Sequence, residues 1–392
     1  MKTKYLKILL MMAFLLVVLV ACNGNGDDNG NGGAADENGT EATTAYENGT
    51  EPADVGGDTI DVNVFLIAHS PAPYSTRADG SFNQGAEDGI DRFIASNPGT
   101  SFDFLQPHEA SDEARIDIIQ DAIDQGANII VLPGFHFQNA LYDAQDLFPD
   151  VKFVLLDASP RHPETEAVRV ENNVAAIHYA EEQSGFLAGY AAVMEGYRDL
   201  GFLGGLPVPA VMRFGHGFIQ GAEFAAESLG LEEGEVTIDF RYLGGFGPTP
   251  EFQTLAAGMY AAGVEVIFVA AGGAGNSVMA AAEAAGTSVI GVDVDQYHLS
   301  DTIVTSALKE LAVSVYDMLT DFANGNFNGG QELRFEASNN GIGLAMDTAR
   351  LQNFTQAQYD AIFARLAGGE INVSASMDMS DIETTLVTVN EQ

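Results

Sequence analysis

The stretch VEVIFVAAGGAGNSVMAAAEAAGTSVIGVDVDQY, residues 264–297, limits the possible folds more than any other part of the chain. A β-branched apolar run ends in Ala270-Ala271-Gly272-Gly273-Ala274-Gly275. A helical pattern follows, then a second apolar run, 288–292, that stops at Asp293. Strand, glycine turn, helix and strand in that order make the unit of a parallel sheet with a crossover helix. Ligands of such open sheets sit beyond the carboxyl ends of the strands. The glycines let backbone approach a ligand closely, and the helix after them presents free N–H groups. Two readings fit these glycines: tight turning alone, or half of a ligand site. Asp293 likewise fits a helix cap or a ligand contact. The glycines make neither GxGxxG after the strand nor GxxxxGK[ST], so dinucleotide and NTP phosphate binding are unsupported.

The same alternation runs along the chain from residue 60. Strands are expected at 62–68, 102–105, 128–132 and 151–156. Helices are expected at 82–95, at 111–126 behind a Ser111 cap, and around 181–194. The pattern then restarts, with strands at 200–203, 236–243, 264–269, 288–292 and 303–307 and helices at 211–229, 250–262 and 311–323. A helix near 356–366 closes the series. Repeated alternation predicts an α/β protein of two lobes, each a parallel sheet flanked by helices, joined by right-handed crossovers with a ligand cleft between the lobes. The first lobe is expected to span 58–174, with 297–331 (strand 303–307 included) returning to it. The second spans 175–296, with 332–392 returning.

Composition narrows the partners. The 392 residues carry 16 basic against 56 acidic side chains, a net charge of −40. That balance argues against nucleic acid or an anionic membrane surface. Cys22 is the only cysteine, so internal disulfides and cysteine metal sites are excluded. Lys2, Lys4 and Lys7 precede an apolar run at 8–20 and then Leu19-Val20-Ala21-Cys22. A basic head, a short apolar stretch and small residues form a secretory signal, 1–21, too short for a comfortable membrane span. The closing Leu-x-Ala-Cys resembles a bacterial lipobox, which implies lipidation of Cys22 and anchoring to the outer face of the cell membrane. Residues 22–57, rich in Gly, Asn and acid, are expected to form a disordered acidic tether.

Several side chains stand where strands end. After strand 62–68 come His69, a polar loop and then Ser81-Phe82-Asn83. An aromatic can stack on a flat ring, and an amide both donates and accepts. Equally, Ser81 fits an N-cap and Phe82 a core residue. Asp157 closes the strand FVLLD, where a carboxylate can accept two hydroxyl hydrogens or cap a helix. Phe246 follows another strand in LGGF and fits a second stacking face or a loop aromatic. Lys309 follows IVTSALK, and Arg213 in PVPAVMRF either braces the cleft or caps a helix. HExxH, GxSxG and CxxC are all absent from the sequence, and no catalytic or metal-holding pattern emerges.

Taken together, SFNQG at 81–85, FVLLD at 153–157, QSGFLAG at 183–189, GFLGG at 201–205, RFGHGF at 213–218, GGF at 244–246, AAGGAG at 270–275 and GVDVDQY at 291–297 resemble the basic membrane protein family. These are lipoproteins that serve as nucleoside-binding components of ABC importers. The resemblance implies a type I periplasmic-binding-protein fold without a cofactor. It implies that Phe82 and Phe246 sandwich a base and that Asn83 bonds its edge. Asp157, Asp293 and Lys309, helped by backbone at Gly272, would take the ribose hydroxyls. One departure stands out: the family aspartate after the first strand is His69 here, followed by an atypical loop at 70–80, from which Asp79 is a substitute candidate. An acceptor-only group has become a ring that donates or accepts, which leaves the base preference open.

The expected function is therefore capture of a nucleoside, a purine one, by a monomeric extracytoplasmic lipoprotein. Lobe closure on the ligand and delivery to an ABC permease would follow, with no chemistry done on the ligand. The alternative is a lipoprotein that senses a nucleoside or sugar without transporting it.

Overall fold

The middle strands of both sheets are apolar on both faces, which is possible only where helices cover each side. The computed structural model describes residues 61–72 and 74–392. The signal segment 1–21, Cys22 and the tether 22–57 lie outside the described residues.

In chain order, the first half holds β1 (Asn63–Ile67), α1 (Phe82–Ser96), β2 (Ser101–Leu105), α2 (Asp112–Asp124), β3 (Ile129–Pro133), α3 (Gln138–Leu147), β4 (Lys152–Leu156), β5 (Val174–Tyr179), α4 (Glu181–Glu195), β6 (Asp199–Gly204) and α5 (Pro209–Leu229). The second half holds β7 (Val236–Tyr242), α6 (Pro250–Ala261), β8 (Val266–Ala270), α7 (Gly275–Ala285), β9 (Ser288–Asp293), β10 (Ile303–Lys309), α8 (Leu311–Ala323), β11 (Gln331–Phe335), β12 (Ile342–Leu344), α9 (Gln356–Ala367) and β13 (Val387–Glu391). One sheet runs β11-β5-β4-β3-β1-β2, with all neighbours parallel. The other runs β12-β10-β9-β8-β6-β7-β13, parallel except for β12 against β10. β3 and β8 are buried at every residue.

Three placements differ from expectation. β10, expected in the first lobe, pairs with β9 and β12 in the second sheet. It is buried at all but one residue, and only a position between two strands satisfies it. β5 had been placed with the second lobe, yet it pairs with β4 in the first sheet. Residues 332–335 also belong to the first sheet, as part of β11. The chain therefore passes between the sheets after β5, after β10 and after β11. Hydrophobic periodicity marks a strand as buried but does not name its neighbours, so these passages were not readable from it.

The contact of α4 with α5 fixes the middle of the molecule. A Cβ on Gly185 or Gly189 of α4 would stand 2.1 or 2.0 Å from the carbonyl oxygens of Phe214 and Phe218. A Cβ on Gly217 or Gly221 of α5 would stand 2.1 or 1.9 Å from those of Glu182 and Phe186. Only glycine permits so close a backbone approach. The crossing holds the acidic first turn of α4 against Arg213 on α5.

Candidate functional site

The carboxyl ends of β1, β3, β4, β8, β9 and β10 converge on one cavity with about 870 Å³ of empty space, mouth included. His69, Phe82, Asn83, Asp157, Phe246, Gly272, Asp293 and Lys309 all line it. These residues come from several separate stretches of the chain and meet because both sheets point strand ends at the same space.

One end of the cavity is ionic. Lys309 Nζ donates to Asp157 Oδ2 at 2.6 Å and lies 3.2 Å from Glu181 Oε1 and 3.8 Å from Asp293 Oδ1. Its ammonium also sits 4.8 Å from the Phe82 ring centroid, with Tyr179 and Phe214 at 5.2 and 5.3 Å. Burial pulls Lys309 down, but Asp157, Glu181 and Asp293 outweigh it and hold the ammonium above its ordinary range. Burial likewise works to raise Glu181, but Arg213, 2.7 Å away, and Lys309 hold it down at about 2. Asp157 goes the other way: burial raises it to about 7 against the pull of Lys309. Asp293 is also raised by burial. Asp157 Oδ1 is buried without a hydrogen-bond partner.

Backbone geometry aims the two aspartates. Asp157, just after β4, and Asp293, at the end of β9, have φ of 63° and 68°, the left-handed region that residues other than Gly, Asn and Asp avoid. Ser81 was a candidate N-cap, but its hydroxyl makes no cap bond and donates instead to Asp293 Oδ2 at 2.6 Å. Asp79 does the capping. Its carboxylate accepts the backbone N–H groups of Ser81, Asn83 and Gln84. Burial raises it to about 6. Asp79, the substitute candidate for the family aspartate, thus caps α1 while also lining the cavity.

The other end is aromatic and uncharged. His69 stacks on His136 at 4.9 Å and meets Phe246 edge-on at 6.4 Å. Burial first, then the charges of His136 and Arg115, lower His69 to about 3, so its ring is neutral at pH 7. Burial lowers His136 too. Phe246 lies over Gly205, where a Cβ would come within 2.3 Å of its ring. Asn83 is buried, and its amide nitrogen donates to Thr76 O at 2.8 Å and Ser75 Oγ at 3.1 Å.

Residues 72–375 match the family described as Bmp, ABC transporter substrate-binding protein PnrA-like. The chain belongs to this family. It is thus a substrate-binding protein of the ABC-transporter type, and its family is one of solute binders rather than enzymes. A relative from Lactococcus lactis subsp. cremoris, named ABC transporter nucleoside-binding protein BmpA, is 28% identical over 330 residues, covering 79% of this chain and 89% of its own. A Listeria monocytogenes relative named CD4+ T-cell-stimulating antigen is 25% identical over 317 residues, covering 75% and 84%. Among solved structures, a solute-binding protein from Aeropyrum pernix matches with a TM-score of 0.69 at 22% identity, over 81% of this chain and 95% of that one. One from Conexibacter woesei matches at 0.63 with 24% identity, over 80% and 99%. The fold is the two-lobed type I periplasmic-binding-protein fold.

Sequence reasoning missed Glu181, His136 and Ser75. An acid doublet opening the otherwise apolar helix SGFLAGYAAVM was a usable signal for Glu181. His136, in a short turn after β3, carries no such mark. Arg213 was left open between two roles, and it braces: it pairs with Glu181 and lies 4.0 Å from Glu182. No helix among the described residues is long and apolar enough to cross a membrane.

Proposed function

We propose that this Bmp-family protein captures a nucleoside, a purine one, at the outer face of the cell membrane and passes it to an ABC permease. The observation that carries the reading is the two-ended cavity. Flat aromatic walls stand at one end, and a buried carboxylate oxygen without a partner, Asp157 Oδ1, stands at the other. A buried acceptor left unpaired costs about 1–3 kcal/mol, which a ribose hydroxyl would recover on binding. Phe82 and Phe246 hold the base faces, and Asn83 and His69 meet its edge. Asp157, Asp293 and Lys309 take the ribose hydroxyls beside the backbone of Gly272. The name of the Lactococcus relative points the same way.

Capture works by hinge closure. The passages after β5, β10 and β11 let the two sheets swing, and the ligand stabilises the closed state that the permease recognises. A lipid on Cys22 keeps the monomer at the membrane. The test is calorimetric titration of the detergent-solubilised chain with purine and pyrimidine nucleosides, ribose and free adenine. Tight binding of nucleosides, with ribose and adenine much weaker, supports the reading. Binding of ribose with no nucleoside bound would overturn it and recast Asp157 and Asp293 as sugar ligands.

A further inference from the structure

We infer that His69 faces the ligand as a hydrogen-bond donor beside Asn83 as an acceptor, and that this pair selects 6-oxopurine nucleosides over adenosine. The inference rests on the nucleoside reading above and names the substrate more narrowly.

The argument follows the protons. Thr76 O is a carbonyl and can only accept, so the group facing it at 2.8 Å must be the amide nitrogen of Asn83. The second hydrogen of that nitrogen goes to Ser75 Oγ at 3.1 Å. Both donors of Asn83 are then spent, and only its carbonyl oxygen remains for a ligand. Ser75 is buried, and the other partner of its hydroxyl is His69 Nδ1 at 3.3 Å. Its two lone pairs would let the hydroxyl accept from both partners, but its own proton would then meet no acceptor among the described residues; giving that proton to Nδ1 satisfies the buried group. An imidazole that accepts at Nδ1 carries its hydrogen on Nε2. The chain Asn83–Ser75–His69 therefore fixes the tautomer from behind.

The surroundings favour the same polarity. Arg115 Nε donates to the backbone carbonyl oxygen of His69 at 2.9 Å, which places a guanidinium, paired with Asp112, behind the cavity wall at this end. Asp157, Glu181 and Asp293 gather instead around Lys309 at the far end. His69 stays neutral because burial opposes its protonation, so it neither repels Arg115 nor becomes a double donor.

The base edges then separate. Inosine and guanosine present an O6 acceptor next to an N1–H donor, which matches a donor at His69 and an acceptor at Asn83. Adenosine presents an N6 amino donor next to an N1 acceptor, which sets donor against donor and acceptor against acceptor. Leaving such buried groups unpaired is what discriminates between analogues of equal shape.

The experiment is titration of the full chain in detergent with inosine, guanosine and adenosine at pH 7.5. Inosine and guanosine are expected to bind at least about tenfold tighter than adenosine. His69→Phe keeps a flat ring and removes the donor, so the ratio should fall, chiefly through weaker binding of inosine and guanosine. Ser75→Ala frees the tautomer without touching the ring and should narrow the ratio as well. Adenosine binding as tightly as inosine to the wild type would overturn the inference. So would a ratio unchanged in both variants. If the wild type binds no nucleoside at all, the failure lies with the nucleoside reading, and this inference falls with it.

Discussion

The two ends of the cavity solve the problem of polar burial in opposite ways. At the Lys309 end, three carboxylates share one ammonium and lean on Arg213 for the rest. At the His69 end, two imidazoles remain uncharged and are held by stacking and a hydroxyl. Burying a paired ion leaves a large penalty in reserve if one partner goes, whereas a neutral ring leaves little. One end is therefore expected to be sensitive to any change of charge, and the other to tolerate substitution.

The largest expected effect comes from removing the shared cation. Lys309→Met would leave Asp157 and Asp293 without their cation and Glu181 with Arg213 alone, and is expected to destabilise the fold by roughly 3–5 kcal/mol, read by thermal or urea unfolding. A variant as stable as wild type would show that the ionic end is solvated rather than buried. Next is the frame that positions Glu181. Gly221→Ala sets a Cβ against Phe186 O and is expected to cost on the order of 1–3 kcal/mol, measured in the same way.

Asp157 tests whether the ionic end is built for a ligand. If a ribose hydroxyl donates to Oδ1, binding favours the ionised carboxylate and releases a proton. Affinity should then weaken as pH falls below about 7, and titrations in buffers of different ionisation enthalpy should detect the proton. Asp157→Asn is expected to bind about tenfold more weakly and to lose that pH dependence. A pH-independent affinity in the wild type would remove Asp157 from the ligand.

The same two ends should pull stability in opposite senses with pH. Asp157 is raised from its ordinary value to about 7, so its contribution is complete in acid and is lost as pH rises from about 4 through about 7. Asp157→Asn should therefore gain on wild type over that window. His69 is lowered to about 3, so its contribution is complete above about 6.5 and is lost as pH falls toward about 3. His69→Phe should gain on wild type as pH falls through that range. Parallel pH profiles of melting temperature for the three proteins check both signs. The smallest effect is His69→Phe at pH 7.5, where stability should stay within about 1 kcal/mol of wild type.

The order of the elements was legible because burial imposes a period on the sequence. β3 and β8 are unbroken apolar runs, and Ser111 caps α2 by accepting from Ala114 N–H as a serine before an acidic turn should. The candidate site was legible for a related reason. Strand ends in an α/β sheet point to one edge, so Asp157, Asp293, Lys309 and His69 could be picked out one at a time. Short edge strands were not legible, and the interior strand β5 and helix α3 also went unexpected. β11 reads QELRF and β13 reads VTVNE, and neither is apolar enough to stand out from a loop.

What the sequence alone determined is thus the alternation, the family and a list of polar groups at strand ends. Tertiary structure decided which sheet each strand joined, and so moved β5, β10 and residues 332–335. It also decided partnership. Ser81 serves Asp293 rather than its helix, Asp79 caps the helix from the cavity wall, and Glu181 enters the ionic end from a helix start far ahead of Lys309 in the chain. Periodicity reports only that a side chain is buried. The partner it meets there depends on distances set by glycine-tight helix packing and strand register, and these exist only once the chain has folded.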